Sequence, residues 1–526
     1  MTSIAGNRRR APSFDLEAYG RDLEAFHAEL GEARWALATG ARDELRSAPI
    51  HAAHATLFDR TAVDALRRLA ASDGDPAAQA AGLVATAVDG HAEQQVAELT
   101  DQIRTAEARA AIIWRGERIA YRAAPRRIAE ISNRAERNAL EASYQDAVEA
   151  INPLREERLG RLHEVATALG YADYTAMVSE TRGFDVQALA AEMQRFLAES
   201  ETVYFAALRR YLAEIDIEQG DASSADLSHV LAGNGWDAWF DARRITPDLS
   251  ATLAGMGIDL AAQSNVTLDQ ASGANRAAGP MVVAVRVPQD VRLALQPVGG
   301  NRQYAATLYG IGAIEELAHV AADLPAAYRL GGDPSVSHGH ASLFEALLLE
   351  PTWLAAERGM PDDEMVGWLD FASFRRLHAI RRDVAQLLYE LRLHQGVEPA
   401  LHRAYYAGML GLLTGVRYAE PSYLIEVERG FDSAARLRGA CYAAMLVSWL
   451  RDHHGASWWR EAAAGQLLRR GWSRGRQLDA EALVAHLGYD ALDWRPILRQ
   501  IRTQLIGEMS GYGGPNITTR AGTRKV

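Results

Sequence analysis

The chain has 526 residues, 48% hydrophobic and 24% charged, and its 68 acidic side chains outnumber 56 basic ones for a formal charge of −12. That balance excludes disorder as the main state, and the lack of any apolar run of about 18 residues excludes a helical membrane span. The acidic excess argues against a nucleic-acid-binding surface.

The opening MTSIAGNRRRAPSF carries arginines with no apolar stretch behind them, so no secretory signal is expected. Apolar residues recur at three- and four-residue spacing over 16–30, 136–169 and 186–215, which predicts amphipathic helices. Within the second, Leu140, Tyr144, Val148 and Ile151 form one stripe for burial. The clusters SDGDP (72–76), GNGWD (233–237) and SGAN (272–275) predict loops between helical groups. Over 281–297 the period changes. Met281 to Val287 and Val291 to Leu295 flank Pro288-Gln289-Asp290, the pattern of two strands around a turn. Such a hairpin needs a larger body to pack on. A helix is expected over 305–322 after Gly299-Gly300, and another from near His338 after Gly331-Gly332-Asp333-Pro334. The tail GYGGPNITTRAGTRKV (511–526) is rich in turn residues and is expected to be mobile. Cys441, the only cysteine, removes disulfides and thiolate metal cages and fits a reducing cytoplasm.

Chemistry concentrates after the hairpin. Glu315 and His319 stand at i and i+4 on the first helix, so they project from one face, with Glu316 on the adjacent edge. Two ligands at that spacing, joined by a third from a neighbouring helix, make a common metal-binding arrangement. The plainer reading is a solvated Glu–His pair.

The run 299–353 resembles the helical zinc peptidases of the thimet-oligopeptidase and angiotensin-converting-enzyme group. In that group a hairpin precedes a helix bearing H-E-x-x-H, and a later helix supplies a glutamate as third ligand. Here Glu315-Glu316-Leu317-Ala318-His319 occupies the motif, and DLPAAYRLGGDPSVSH (323–338) is similar to the linker that follows it. The resemblance implies a metal triad of Glu315, His319 and His338, with two positions having exchanged types. Glu345, two turns after His338, is the alternative third ligand. His340 is read as cap or surface, and Glu350 as structural. Ser342 stands where the family has an aspartate that orients a ligand histidine. Glu316 takes the place of the general base that activates metal-bound water. On a late helix at 423–450, where relatives carry oxyanion-stabilising tyrosines, the chain has Asp432, Arg436 and Arg438, with Tyr442 and Tyr423 as further candidates. Surface ion pairs are the plainer role for the arginines.

The resemblance implies a mainly helical, two-lobed zincin-like metallopeptidase fold, all-α apart from a small β-hairpin beside the metal helix. Residues 1–125 would form helices covering the cleft, 126–510 the catalytic region and 511–526 the tail. The hairpin edge at Met281 to Val287 would bind extended substrate by strand addition. The leading expectation is metal-dependent hydrolysis of a short peptide or small amide, using zinc. Two alternatives stand beside it: an oxygenase-type enzyme with two histidines and one carboxylate on iron, and a metal-free descendant that binds a peptide without chemistry.

Overall fold

Side chains built to cap helices start three of the four long N-terminal helices. Asp15 accepts from the Ala18 N–H ahead of α1 (Leu16–Ala38). The second, α2 (Asp75–Arg109), instead follows directly on the Gly74 turn. Asn133 accepts from the Glu136 N–H ahead of α3 (Arg134–Ala168), and Asp185 from the Gln187 and Ala188 N–H groups ahead of α4 (Val186–Ala213). The α3 stripe of Leu140, Tyr144, Val148 and Ile151 is buried as its spacing predicts. Helix α2 is harder to foresee, because many of its buried positions are alanine, which marks a face only weakly. The computed structural model describes residues 14–506 apart from 274, 275, 278, 397, 398, 428 and 429. The tail 511–526 and half of the SGAN loop lie outside the described residues.

Two small sheets interrupt the helices. Strands β1 (Ala111–Trp114) and β2 (Glu117–Ala120) form a hairpin through Arg115 and Gly116, both at positive φ. The expected hairpin is present as β4 (Met281–Arg286) and β5 (Asp290–Ala294). A strand the periodicity did not indicate, β3 (Val266–Asp269), joins it, giving the order β3-β5-β4 with β3 parallel to β5. Val291 gives its N–H to the Asn265 carbonyl on the β3 side, so its register partner Ala284 turns its own carbonyl to the outer edge of β4. Helix α1 closes on that edge: a Cβ at Gly31 would lie 2.9 Å from Val285 Cα and 3.0 Å from Ala284 O. The edge expected to receive a substrate strand therefore meets α1.

Behind the sheet lie α5 (Asn301–Ala318), α6 (Pro334–Glu345), α7 (Asp362–His394) and α8 (Asp432–His454). Helix α5 begins earlier than its periodicity suggests, because Asp237 accepts the Asn301 N–H at 2.8 Å and caps it from a distant loop. It also ends at Ala318, which leaves His319 as the C-cap. Helix α6 begins at Pro334, so His338 lies inside it. Glycines let these helices approach closely. A Cβ at Gly312 of α5 would lie 2.5 Å from the His340 carbonyl of α6, and one at Gly439 of α8 would lie 2.5 Å from His338 Cβ. No helix of the described residues is long and apolar enough to cross a membrane.

Candidate functional site

The residues expected to form one metal centre fall into three separate groups. In the first, the Gln263 amide donates to both Glu315 oxygens, at 3.1 and 3.2 Å. His319 is adjacent, with Nδ1 at 2.9 Å from the Glu315 carbonyl and 3.4 Å from its carboxylate. Burial raises the Glu315 carboxyl to about 7, although the Gln263 hydrogen bonds and Arg469 oppose the rise. Burial also lowers the His319 imidazole.

The second group surrounds Glu316, on the next face of α5. Ser337 donates to one of its oxygens, and Arg476 Nε lies 3.2 Å from the other. Arg476 also donates to Ser337. Burial pushes the Glu316 carboxyl up, but Arg476, His340 and Ser337 outweigh it and hold the group at about 2. His340, expected at a cap or on the surface, is buried here, 3.9 Å from Glu316 and 3.1 Å from the Tyr442 hydroxyl. Burial, with the Glu316 charge, raises the Tyr442 phenol. The Trp472 ring contacts both the His319 and the His340 rings.

His338 belongs to the third group. Its Nδ1 is hydrogen-bonded to the Tyr309 hydroxyl of α5, and its Nε2 faces Asp432 of α8 at 3.4 Å. Asp432 is held by Arg436 at 2.7 Å, and Arg436 also reaches Asp383 at 3.0 Å. Tyr309 lies six residues before Glu315, about 9 Å along the helix and roughly 120° around it. The solvent-accessible positions of α5 fall on one face. Arg302 and Ala306 are exposed, and Tyr309, Ala313 and Leu317 half-buried, a single stripe at spacings of four, three, four and four. Glu315 and Glu316 are off it. Glu345 also keeps accessible surface, yet the protein packed around it raises its carboxyl, with Arg375 and Arg376 opposing.

The remaining candidates hold the helices together. Arg438 is buried between Asp333, at 3.1 Å, and Glu481, and it donates to Ser335 at 3.1 Å. Tyr423 donates to Glu156, and Glu350 is ion-paired to Arg451 at 2.7 Å.

These side chains do not fit a metal as they stand. Both Glu315 oxygens take N–H donors, the Glu316 oxygens face Ser337 and Arg476, and both His338 ring nitrogens have partners. Among the described residues, no group of three or more His, Cys, Asp or Glu side chains is placed to hold a metal ion. Sequence reasoning missed Gln263, Tyr309 and Arg476. Tyr309 could have been found as the residue one turn from Ala313 and two turns from Arg302 on one face; Gln263 and Arg476 come from distant segments.

No family model matches the chain, and no curated protein matches it. Solved structures do. A carboxypeptidase of Pyrococcus furiosus is 12% identical, with a TM-score of 0.62 over 93% of this chain and 98% of its own. PZ peptidase A is 12% identical, with a TM-score of 0.65 over 93% of this chain and 90% of that one. The M32 carboxypeptidase of Deinococcus radiodurans is 14% identical, with a TM-score of 0.57 over 94% and 98%. The chain has the mainly helical fold of these peptidases, and at such identities the likeness is one of fold.

Proposed function

We propose that this chain is a metal-free protein of the metallopeptidase fold that binds a short peptide along the accessible face of α5 without hydrolysing it. One observation carries the reading: the face of α5 opposite His338 presents Tyr309 and Ala313 at i and i+4, and alanine has no ligand atom. A second supports it. Arg476 sets a fixed positive charge against Glu316, and a carboxylate held at about 2 is a poor proton acceptor near neutral pH. The peptidase-like fold supports a peptide as the ligand, and the arrangement of α1 along β4 favours the helical walls over the strand edge as its seat.

Hydrolysis on zinc, or oxygenation on iron, would need Glu315, His319 and His338 to converge. The 3.4 Å approach of His319 to Glu315 favours that second reading for two of the three. Elemental analysis of the purified chain beside His319→Ala and His338→Ala, with a peptide-cleavage assay run with and without chelator, separates the readings. The expected result is no stoichiometric metal in any sample, no cleavage, and peptide binding that Ala306→Trp weakens by adding bulk to the accessible stripe. Stoichiometric metal lost in either histidine variant, with chelator-sensitive cleavage, would overturn the proposal.

A further inference from the structure

Between α3, α7 and the short helix Ser224–Ala232 lies a cavity of about 180 Å³ that takes no lining residue from α5. Its charged lining is Glu141 of α3, Arg382 of α7, and Glu426. Arg382 and Glu426 are ion-paired to each other, which leaves Glu141. The Glu141 carboxylate accepts one hydrogen bond, from the neutral Gln145 amide at 2.7 Å, and among the described residues no cationic side chain comes within ion-pairing distance of it. Burial raises the Glu141 carboxyl, with the Gln145 hydrogen bond opposing. The fold thus withdraws this charge from water without supplying a counter-charge.

His378 gives an independent sign that a donor is wanted. It lines the same cavity and is 6% exposed. Its Nδ1 lies 2.9 Å from the Tyr204 hydroxyl, and that hydroxyl gives its one hydrogen to the Thr414 carbonyl at 2.8 Å. His378 Nδ1 therefore carries a hydrogen and donates it to the Tyr204 oxygen. Burial, with Arg382 and Arg381 beside it, lowers this imidazole to about 3, so the ring is neutral and Nε2 holds a lone pair. No hydrogen bond reaches Nε2 from the described residues, a costly state for a buried acceptor. Tyr144, Tyr406 and Tyr418 also line the cavity, and aromatic faces attract a cation.

We infer that this cavity binds a small primary amine as its ammonium ion, with N–H groups directed at Glu141 and at His378 Nε2. An ammonium supplies both things the cavity lacks, one positive charge and hydrogen-bond donors. A neutral alcohol would leave the Glu141 charge uncompensated, and an anion would add to it. At roughly 30 Å³ per water the volume equals about six waters, so the ligand has about six to eight non-hydrogen atoms. Ile128, Leu227 and Leu231 offer contact to a short hydrocarbon body. The site is separate from α5 and stands whether or not a peptide binds there.

Calorimetric titration of the full chain with isopentylamine hydrochloride tests it, with isopentanol, tetramethylammonium chloride and sodium chloride as comparisons at matched ionic strength. Saturable one-to-one binding of the amine is expected, weaker binding of tetramethylammonium, which has the charge but no N–H, and none of the alcohol or of sodium. Glu141→Gln keeps the size of the side chain and removes its charge, and should weaken the amine by about tenfold or more. A thermal melt beside wild type reads whether that variant folds. Should it fail to fold, Ser228→Trp decides, because this lining position is exposed and added bulk there should block binding. Absence of saturable heat, equal binding of the alcohol or of tetramethylammonium, or unchanged affinity in the deciding variant would overturn the inference.

Discussion

Arg476 Nε sits 3.2 Å from Glu316 Oε1, and both side chains are largely withdrawn from solvent. The pair anchors the segment after Trp472 to α5. Glu316→Gln should therefore act on stability, by about 3–5 kcal/mol, because it strands a buried guanidinium. Since Glu316 is held at about 2 against an ordinary 4.5, the stabilisation is present above pH 4.5 and is lost as pH falls toward 2. Urea unfolding of both proteins at pH 7 and pH 3 checks this: the gap should narrow at the lower pH.

Glu315 behaves in the opposite sense. Its carboxyl rises from an ordinary 4.5 to about 7 on burial, so the folded chain holds its proton more tightly than the unfolded chain. The associated stability is full below pH 4.5 and declines as pH rises through about 7. Glu315→Gln should be near neutral at pH 4.5 and stabilising by on the order of 1–3 kcal/mol at pH 8. Thermal melts of both proteins across that range measure the difference.

The Tyr309 stripe predicts a gain of metal. With Tyr309→His and Ala313→His together, two imidazoles at i and i+4 would face His338, a three-histidine set suited to zinc. The double variant should take up one equivalent of zinc, and adding His338→Ala should remove it. Wild type should take up none. Titration under a competing chelator reads all three.

Gly31 is where α1 comes close to the backbone of β4. Gly31→Ala places a methyl group 2.9 Å from Val285 Cα, a backbone atom that cannot step aside alone. A loss of about 1–3 kcal/mol is expected, measured by chemical unfolding.

Much of the fold was legible in the sequence. The 281–295 alternation gave its two strands, and the Leu140–Ile151 stripe gave its buried face. The site was less so, for a physical reason. Helix α5 is covered on most sides, so apolar and small residues surround it and period alone cannot say which face meets α6. The accessible stripe contains Ala306, Ala313 and Leu317, which look like core positions. Glu315 and Glu316, which look like surface or ligand positions, are buried because Gln263 and Arg476 reach them from far along the chain. Only tertiary structure supplies those partners.

The seam between Gly31 and Val285 joins positions about 250 residues apart in the chain. At a synthesis rate of about 5–20 residues per second, α1 leaves the ribosome roughly 10–50 s before the strand it covers. During that interval its apolar side has no sheet to rest on, so a nascent chain halted before residue 281 should be a strong chaperone client, and one extended past residue 295 a weaker one.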